Sequence, residues 1–420
     1  MSETRNKKAA LWVPSLYFAE GLPYMAVNIL SVIFYKVIGL DNDEIAFYTS
    51  SFYIPWLIKP LWSPLTEMFK NSKFWVTFCQ FLCGILFAGV AYFIPADNAV
   101  KYTLVFFWVA AFASATHDIA ADGLYIKALD KDTQAFWVGI RNTFYRLSMI
   151  FCQGGLVILA GELTDKYQDA KFAWQIVFAI FAGLMALLAV YHKFTLPLGE
   201  EKQDGEKDKN FLKPFVTFFK KDGILLIIGF LLLYRLSEAQ LTKIAPLFLL
   251  DSLENGGLEL STSELGFING TVGLIAMILG GILGGIFIAN QGLNKSLIIM
   301  ILALNLPDLF YAYMAWAQPQ NFFAVSSMVF IEQFGYGFGF TAYTVYMMQI
   351  SAGENSTSHY AVCTAFMAAG MMLPGMVSGY LQTLFGYKMF FVWVVLCAVP
   401  SVATALKIKK LPPTSPNHHL

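Results

Sequence analysis

Charge is the scarcest ingredient of this 420-residue chain: 13% of its residues are Asp, Glu, Lys or Arg, about half the ~25% usual in a soluble domain. A surface so poor in charge cannot face water all round. With 57% hydrophobic residues, the solvent for most of it is lipid. An excess of one sign is missing too: 28 basic and 28 acidic residues cancel, so no basic surplus points to nucleic acid. Cysteine is limited to Cys79, Cys83, Cys152, Cys363 and Cys397, each inside an apolar run. Cys79 and Cys83 stand on a hydrophobic helix without a second pair nearby, so no metal is expected. No cofactor motif is expected either. A cleavable leader does not fit: the first apolar run, 11–37, exceeds the roughly 7–15 residues of a signal core and reads as a spanning helix.

What the chain does have is a succession of apolar runs, each near the roughly 20 residues that cross a bilayer. They fall at 11–37, 44–66, 74–95, 101–127, 135–161 and 171–194, then at 223–250, 263–289, 295–316, 321–350, 357–384 and 387–407. The expected class is an all-α membrane protein of twelve transmembrane helices in two six-helix halves, the outline of a major-facilitator transporter. The expected domains are an N-terminal bundle over 1–197, a cytoplasmic linker over 198–213, a C-terminal bundle over 214–407 and a tail over 408–420. The linker mixes Glu200, Glu201, Lys202, Asp204, Glu206, Lys207, Asp208 and Lys209, a flexible composition. Eighteen loop lysines and arginines fall on the side of the termini and five on the other. This places both termini in the cytoplasm.

Charges inside the spans are expensive and usually face a cavity or a partner. The first half carries Glu20, Lys59, Asp118, Asp122, Arg141 and Arg146, all at mid-depth or toward the cytoplasmic side at ~1.5 Å per residue. Asp118 and Asp122 share a helix face. Antiparallel spans bring Asp118 level with Arg146 and Asp122 level with Arg141, with His117 beside them. Two readings stand: a proton or substrate relay, or a salt-bridge network holding spans 2, 4 and 5 together. Depth favours the structural role for Asp122–Arg141 and the transport role for Asp118, Arg146 and Lys59. Glu20 has no countercharge on its own helix and is the candidate proton carrier. His117 is a second titratable candidate, although a lone helical histidine is more often a packed hydrogen-bonder.

The second half is sparser. Arg235 and Glu238 stand three apart and can pair, and Glu238 and Glu332 come out at similar depth, with Gln333 beside the latter. Two acids at one level can share a proton or bind a polar solute. Asn28 and Asn269 are polar candidates that also suit helix–helix hydrogen bonds. Tyr24 and Tyr145 can present a ring face and a hydroxyl to a sugar. Gly280, Gly281, Gly284, Gly285, Gly335, Gly337 and Gly339 read as close-packing positions rather than a nucleotide loop.

Four segments of the first half add a likeness. They are FAEGLPY (Phe18–Tyr24), KPLWSPLTE (Lys59–Glu67), ASATHDIAADGLYIKAL (Ala113–Leu129) and YRLSM (Tyr145–Met149). In this order they resemble the AmpG-like muropeptide permeases of the major facilitator superfamily. The resemblance places Lys59, Asp118, Asp122 and Arg146 on motif positions, with His117 where the motif has glutamine. It implies proton-driven import of muropeptides, amino sugars or small oligosaccharides across the inner membrane by a non-enzymatic carrier. The expected partners are that small solute, protons and the bilayer, with the chain a monomer. Alternatives are a same-fold carrier of an activated acyl compound such as acetyl-CoA, a membrane sensor that does not transport, and a membrane-embedded enzyme. Against the last, no nucleophile–base constellation is visible.

Overall fold

The computed structural model describes residues 9–69, 71–198, 213–353 and 356–408. The expected linker, apart from its first and last residues, and the tail beyond Ile408 lie outside them. The described residues are helices joined by short turns. In chain order they are α1 (Val13–Val37), α2 (Asn42–Ser51), α3 (Ile54–Phe69), α4 (Ser72–Phe93), α5 (Ala99–Ala128), α6 (Lys131–Tyr167) and α7 (Ala170–Thr195). The short α8 (Lys213–Phe219) follows, then α9 (Ile224–Leu250), α10 (Thr262–Gln291), α11 (Leu293–Ala317), α12 (Phe322–Ser351), α13 (Ser356–Leu396) and α14 (Ala398–Ile408).

Nine helical stretches among the described residues are long and apolar enough to cross a membrane. One of these, Ser358–Ile408, covers two of the runs seen in the sequence. Its helix breaks at Gly386, whose φ of 66° suits glycine. The 30-residue α12 and the α2–α3 pair correspond to the remaining runs. Twelve helical passes are therefore consistent with the fold.

Helix ends follow from local chemistry. Asn71, Asp130, Asp169 and Asn321 each accept a backbone N–H from the first turn that follows. Ser261 and Glu264 form a reciprocal capping box at the start of α10. Gln168 and Gln318 close α6 and α11 in left-handed conformation. Three helices contain a π-helical turn, Ala26–Leu30, Ile150–Leu156 and Ile268–Gly273. Such turns often sit at functional positions.

The chain packs as two compact units. Of the described residues, unit 1 takes those within 1–40, 58–205 and 261–270, and unit 2 those within 41–57, 206–260 and 271–420. In unit 1, α4 packs on α5 and α7, and α1 on α5 and α6. The core includes Trp12, Leu16, Tyr17, Val76, Leu124 and Trp137. In unit 2, α12 packs on α10 and α11, and α13 on α2 and α9. A layer of Phe230, Tyr234, Tyr343 and Tyr346 fills its core. Glycines set the closest contacts: a Cβ on Gly280 would lie 2.1 Å from the Phe334 carbonyl oxygen, and one on Gly337 2.0 Å from that of Met277. The close-packing reading holds for these two, and for Gly284, Gly335 and Gly339. Gly285 meets nothing within 4 Å.

Candidate functional site

Unit 1 gathers most of the charges that the sequence singled out. Lys59 of α3 forms an ion pair with Asp118 of α5. One turn further along α5, Asp122 pairs with Arg141 of α6 at 3.3 Å. Tyr17 of α1 joins this second pair. Its hydroxyl donates to Asp122 Oδ1 at 3.0 Å and accepts from Arg141 Nη1 at 3.0 Å. The Arg141 guanidinium also stands over the rings of Tyr17 and Tyr125, 4.5 and 5.1 Å from their centroids. Glu20 lies one turn after Tyr17 on α1. Its carboxyl comes within hydrogen-bond reach of Asp118 and feels Asp122 and Arg141 as well. Glu20 Oε2 is buried without a hydrogen-bond partner.

The arrangement follows from helix geometry. Tyr17 and Glu20 are three apart, and Asp118 and Asp122 four apart, so each pair occupies one face. Both faces turn into the same space between α1, α3, α5 and α6. Three carboxyls and two cations thus share one partly buried cluster, of which Glu20 is the most enclosed member. Asp118 makes its ion pair with Lys59, whereas helix register had set it level with Arg146. Arg146 is half-buried in the last turn before the π-helical segment of α6. Tyr145 lies within electrostatic range of Tyr24, Glu20, Asp118 and Asp122. Asn28 is fully buried and donates to the Tyr24 carbonyl at 3.1 Å. Asn269 is half-buried in the π-helical turn of α10.

Unit 2 holds a second group. Arg235 and Glu238 of α9 pair through two hydrogen bonds of 2.5 and 2.7 Å, and Arg235 also donates to the Tyr336 hydroxyl at 3.2 Å. Glu332 of α12 is 3% exposed and accepts from Gln333 at 3.0 Å. Sequence reasoning passed over Asp308. It is 2% exposed on α11, electrostatically coupled to Glu332 and Glu238, with Oδ2 unpartnered. The signal was available, since an acid inside an apolar run is itself a warning. Lys243 is equally buried, donating to Thr49 Oγ1 at 3.2 Å. Two further residues of unit 1 were also missed: Gln80 and His192, both fully buried.

Among the described residues, no cluster of His, Cys, Asp and Glu is suited to a metal ion. What these sites offer is charged and hydroxyl groups within a lipid-facing bundle, the equipment of a carrier.

The profile of the Major Facilitator Superfamily matches residues 15–355. The chain belongs to this superfamily. Relatives cover nearly its whole length. A putative transporter AmpG 4 of Rickettsia felis is 25% identical over 414 residues, 94% of this chain and 95% of the relative. The anhydromuropeptide permease of Escherichia coli K12 is 25% identical over 402 residues, 93% of this chain and 78% of the permease. The AmpG-type resemblance seen in the first half therefore extends through the second. Solved structures agree on the fold. A nucleoside transporter NupG mutant superposes with a TM-score of 0.72 at 16% identity, covering 96% of this chain and 99% of its own. A D-xylose–proton symporter gives 0.70 at 12%, covering 97% and 98%. The protein is a secondary transporter of the superfamily, embedded in a membrane by its apolar helices.

Proposed function

We propose that the protein imports cell-wall-derived amino sugars, muropeptides or small oligosaccharides across the inner membrane together with protons. The observation that carries this reading is the Glu20–Asp118–Lys59 group, with Glu20 buried and the ion pair partly so, adjoining Tyr17–Asp122–Arg141. A carboxyl that meets another carboxyl and a lysine in the interior can exchange a proton for an ion pair. Protonating Asp118 releases Lys59, and deprotonating it recaptures the lysine. Such an exchange gives a bundle two discrete arrangements biased by one proton. Glu20 is the proton carrier, and the Asp118 partnership with Lys59, or in the other state with Arg146, is the switch. Asp122 and Arg141 hold α5 and α6 in register. The residues that meet the solute are Tyr24, Asn28 and Tyr145 in the first half and Arg235, Glu238, Asn269, Glu332 and Gln333 in the second.

The cargo assignment is supported by the anhydromuropeptide permease, whose name states its solute, and by the motif segments shared with that family. Transport proceeds by alternating access. Both termini are cytoplasmic by the lysine and arginine count, and the chain works as a monomer. The deciding experiment is uptake of labelled anhydro-disaccharide muropeptide into proteoliposomes, with and without an inward proton gradient. Uptake that rises with the gradient is the expected result. Folded protein that takes up none of this probe rejects the cargo, and uptake indifferent to the gradient rejects the coupling.

A further inference from the structure

A second polar chain runs through unit 1 beside the carboxyl cluster. Ser15 Oγ lies 2.9 Å from His192 Nε2, and His192 Nδ1 lies 2.9 Å from Gln80 Oε1. Gln80 Nε2 in turn lies 2.8 Å from His117 Nε2. Four helices, α1, α7, α4 and α5, contribute one residue each. Gln80 and His192 are fully buried and His117 is 1% exposed. At ~1.5 Å per residue, His192 is about 5 Å from the end of α7, Gln80 about 12 Å from the start of α4 and His117 about 16 Å from the end of α5. Successive passes alternate in direction, so these three helix ends lie on one side. The chain therefore descends from one edge of the unit to the depth of Asp118. At its outer end Ser15 borders a groove of about 400 Å³ lined by Leu11, Phe18, Leu147 and Tyr191 among others.

The two ends of a glutamine amide have nearly the same shape, so hydrogen-bond chemistry assigns them. If the Gln80 amide nitrogen faces His117, it donates to His117 Nε2 and leaves the imidazole proton on Nδ1. That nitrogen is buried without a partner, and an orphaned buried N–H is rare and costly. Turning the amide by half a rotation gives both imidazole N–H groups and the Ser15 hydroxyl an acceptor. His117 Nε2–H then donates to Gln80 Oε1, and the Gln80 amide N–H to His192 Nδ1. His192 Nε2–H donates to Ser15 Oγ, and the Ser15 hydroxyl to the Trp12 carbonyl, 3.2 Å away. The chain ends on a backbone acceptor, and the open position on His117 is the lone pair of Nδ1.

We propose that His117 takes up a proton at Nδ1 beside Asp118 during the transport cycle, and that Gln80 and His192 are positioning residues that present this lone pair and hold the resulting imidazolium. The proposal rests on the proton-coupled reading above. In the step, the O–H bond of a protonated carboxyl in the Glu20–Asp118 pair breaks and an N–H bond forms from the Nδ1 lone pair. A carboxylate is left next to an imidazolium, and return of the proton restores both neutral groups. The Nε2–H donated to Gln80 is present in both charge states, so the chain accepts the charge without rearranging. Asp118 is the charged group that reaches His117, and His117 the one that reaches His192. Cys79 and Cys83 are the buried titratable groups on the facing helix α4, and Tyr17 and Glu20 those of α1 nearest the carboxyls.

The test reads the histidines directly. Imidazole nitrogen NMR spectra of the full-length protein in lipid nanodiscs, assigned with His117→Asn, report tautomer and charge across pH. The expected neutral form of His117 is the Nε2–H tautomer, and Gln80→Leu is expected to move its midpoint by about one pH unit or more. In proteoliposomes the same variant slows gradient-driven uptake of labelled anhydro-disaccharide muropeptide about tenfold and leaves exchange within about twofold of wild type. Gln80→Glu, which keeps an acceptor for His117, restores driven uptake. If Gln80→Leu does not insert, His192→Gln, which keeps an amide partner for Gln80 and removes the ring, carries the same comparison. An Nδ1–H tautomer throughout, or a variant with unchanged His117 titration and uptake, overturns the proposal and leaves the proton-coupled reading standing. Wild-type uptake indifferent to the gradient overturns both.

Discussion

Arg141 lies along Tyr17 from ring to hydroxyl: its guanidinium carbon is 4.5 Å from the ring centroid and its Nη1 3.0 Å from the oxygen. The same hydroxyl donates to Asp122, which closes a triangle with Arg141. A flat, forked cation is needed for this, because lysine offers a point charge that cannot cover the ring and reach two oxygens together. Arg141→Lys is therefore expected to cost about 1–2 kcal/mol of stability and to lower substrate exchange. Tyr17→Phe keeps the ring contact and costs less. Thermal midpoints and exchange rates of the two variants in the same vesicles check the order. A lysine variant indistinguishable from wild type would show that charge alone suffices.

Glu20 gives the sharpest functional prediction. Glu20→Gln keeps the size and hydrogen-bonding capacity of the side chain and removes its exchangeable proton. Gradient-driven uptake should fall to the level of downhill leak while substrate exchange, which needs no net proton movement, continues. Retention of gradient-driven uptake by this variant takes Glu20 out of the carrier role.

Lys59 and Asp118 are joined as an ion pair with side chains only about a quarter exposed, 28% and 24%. Removing one partner strands the other charge in a poorly hydrated place. Partial exposure softens that penalty. Lys59→Met or Asp118→Asn alone should lower stability by about 1–3 kcal/mol, and the double variant by less than the sum. Midpoints of thermal unfolding in one detergent measure the coupling. Strict additivity would mean the two residues do not stabilise one another.

These tests also mark where the sequence was informative. Helical passes are legible because lipid demands long apolar runs, and Glu20, Asp118 and Arg141 are legible because a charge inside such a run is conspicuous. Partnerships are harder. Helix register alone set Asp118 level with Arg146, yet its ion pair is with Lys59, since the rotation of α3 about its axis decides which cation arrives first. Tyr17 was one of several tyrosines inside the spans, with nothing to single it out until Asp122 and Arg141 surrounded its hydroxyl. Gln80 and His192 are uncharged polar residues in apolar helices. Only the packing of α4 against α5 and α7 brings them together with His117.

Glycine offers a control that separates packing from propensity within one helix. On Gly280 a Cβ would stand 2.1 Å from the Phe334 carbonyl oxygen, a backbone atom that cannot swing aside. Gly285 is exposed on the same helix and a Cβ there meets nothing within 4 Å. Both substitutions add one methyl group and both remove a flexible residue from a helix. Gly280→Ala must push α10 and α12 apart by about an ångström, breaking contacts along the seam, and is expected to cost about 1–3 kcal/mol. Gly285→Ala disturbs no contact and gains helix propensity, up to about 1 kcal/mol in the favourable direction. The yield of monodisperse protein and its thermal midpoint should move oppositely for the two. Equal behaviour would mean that α10 and α12 do not meet along the Gly280 face, and the packing of unit 2 described above would have to be redrawn.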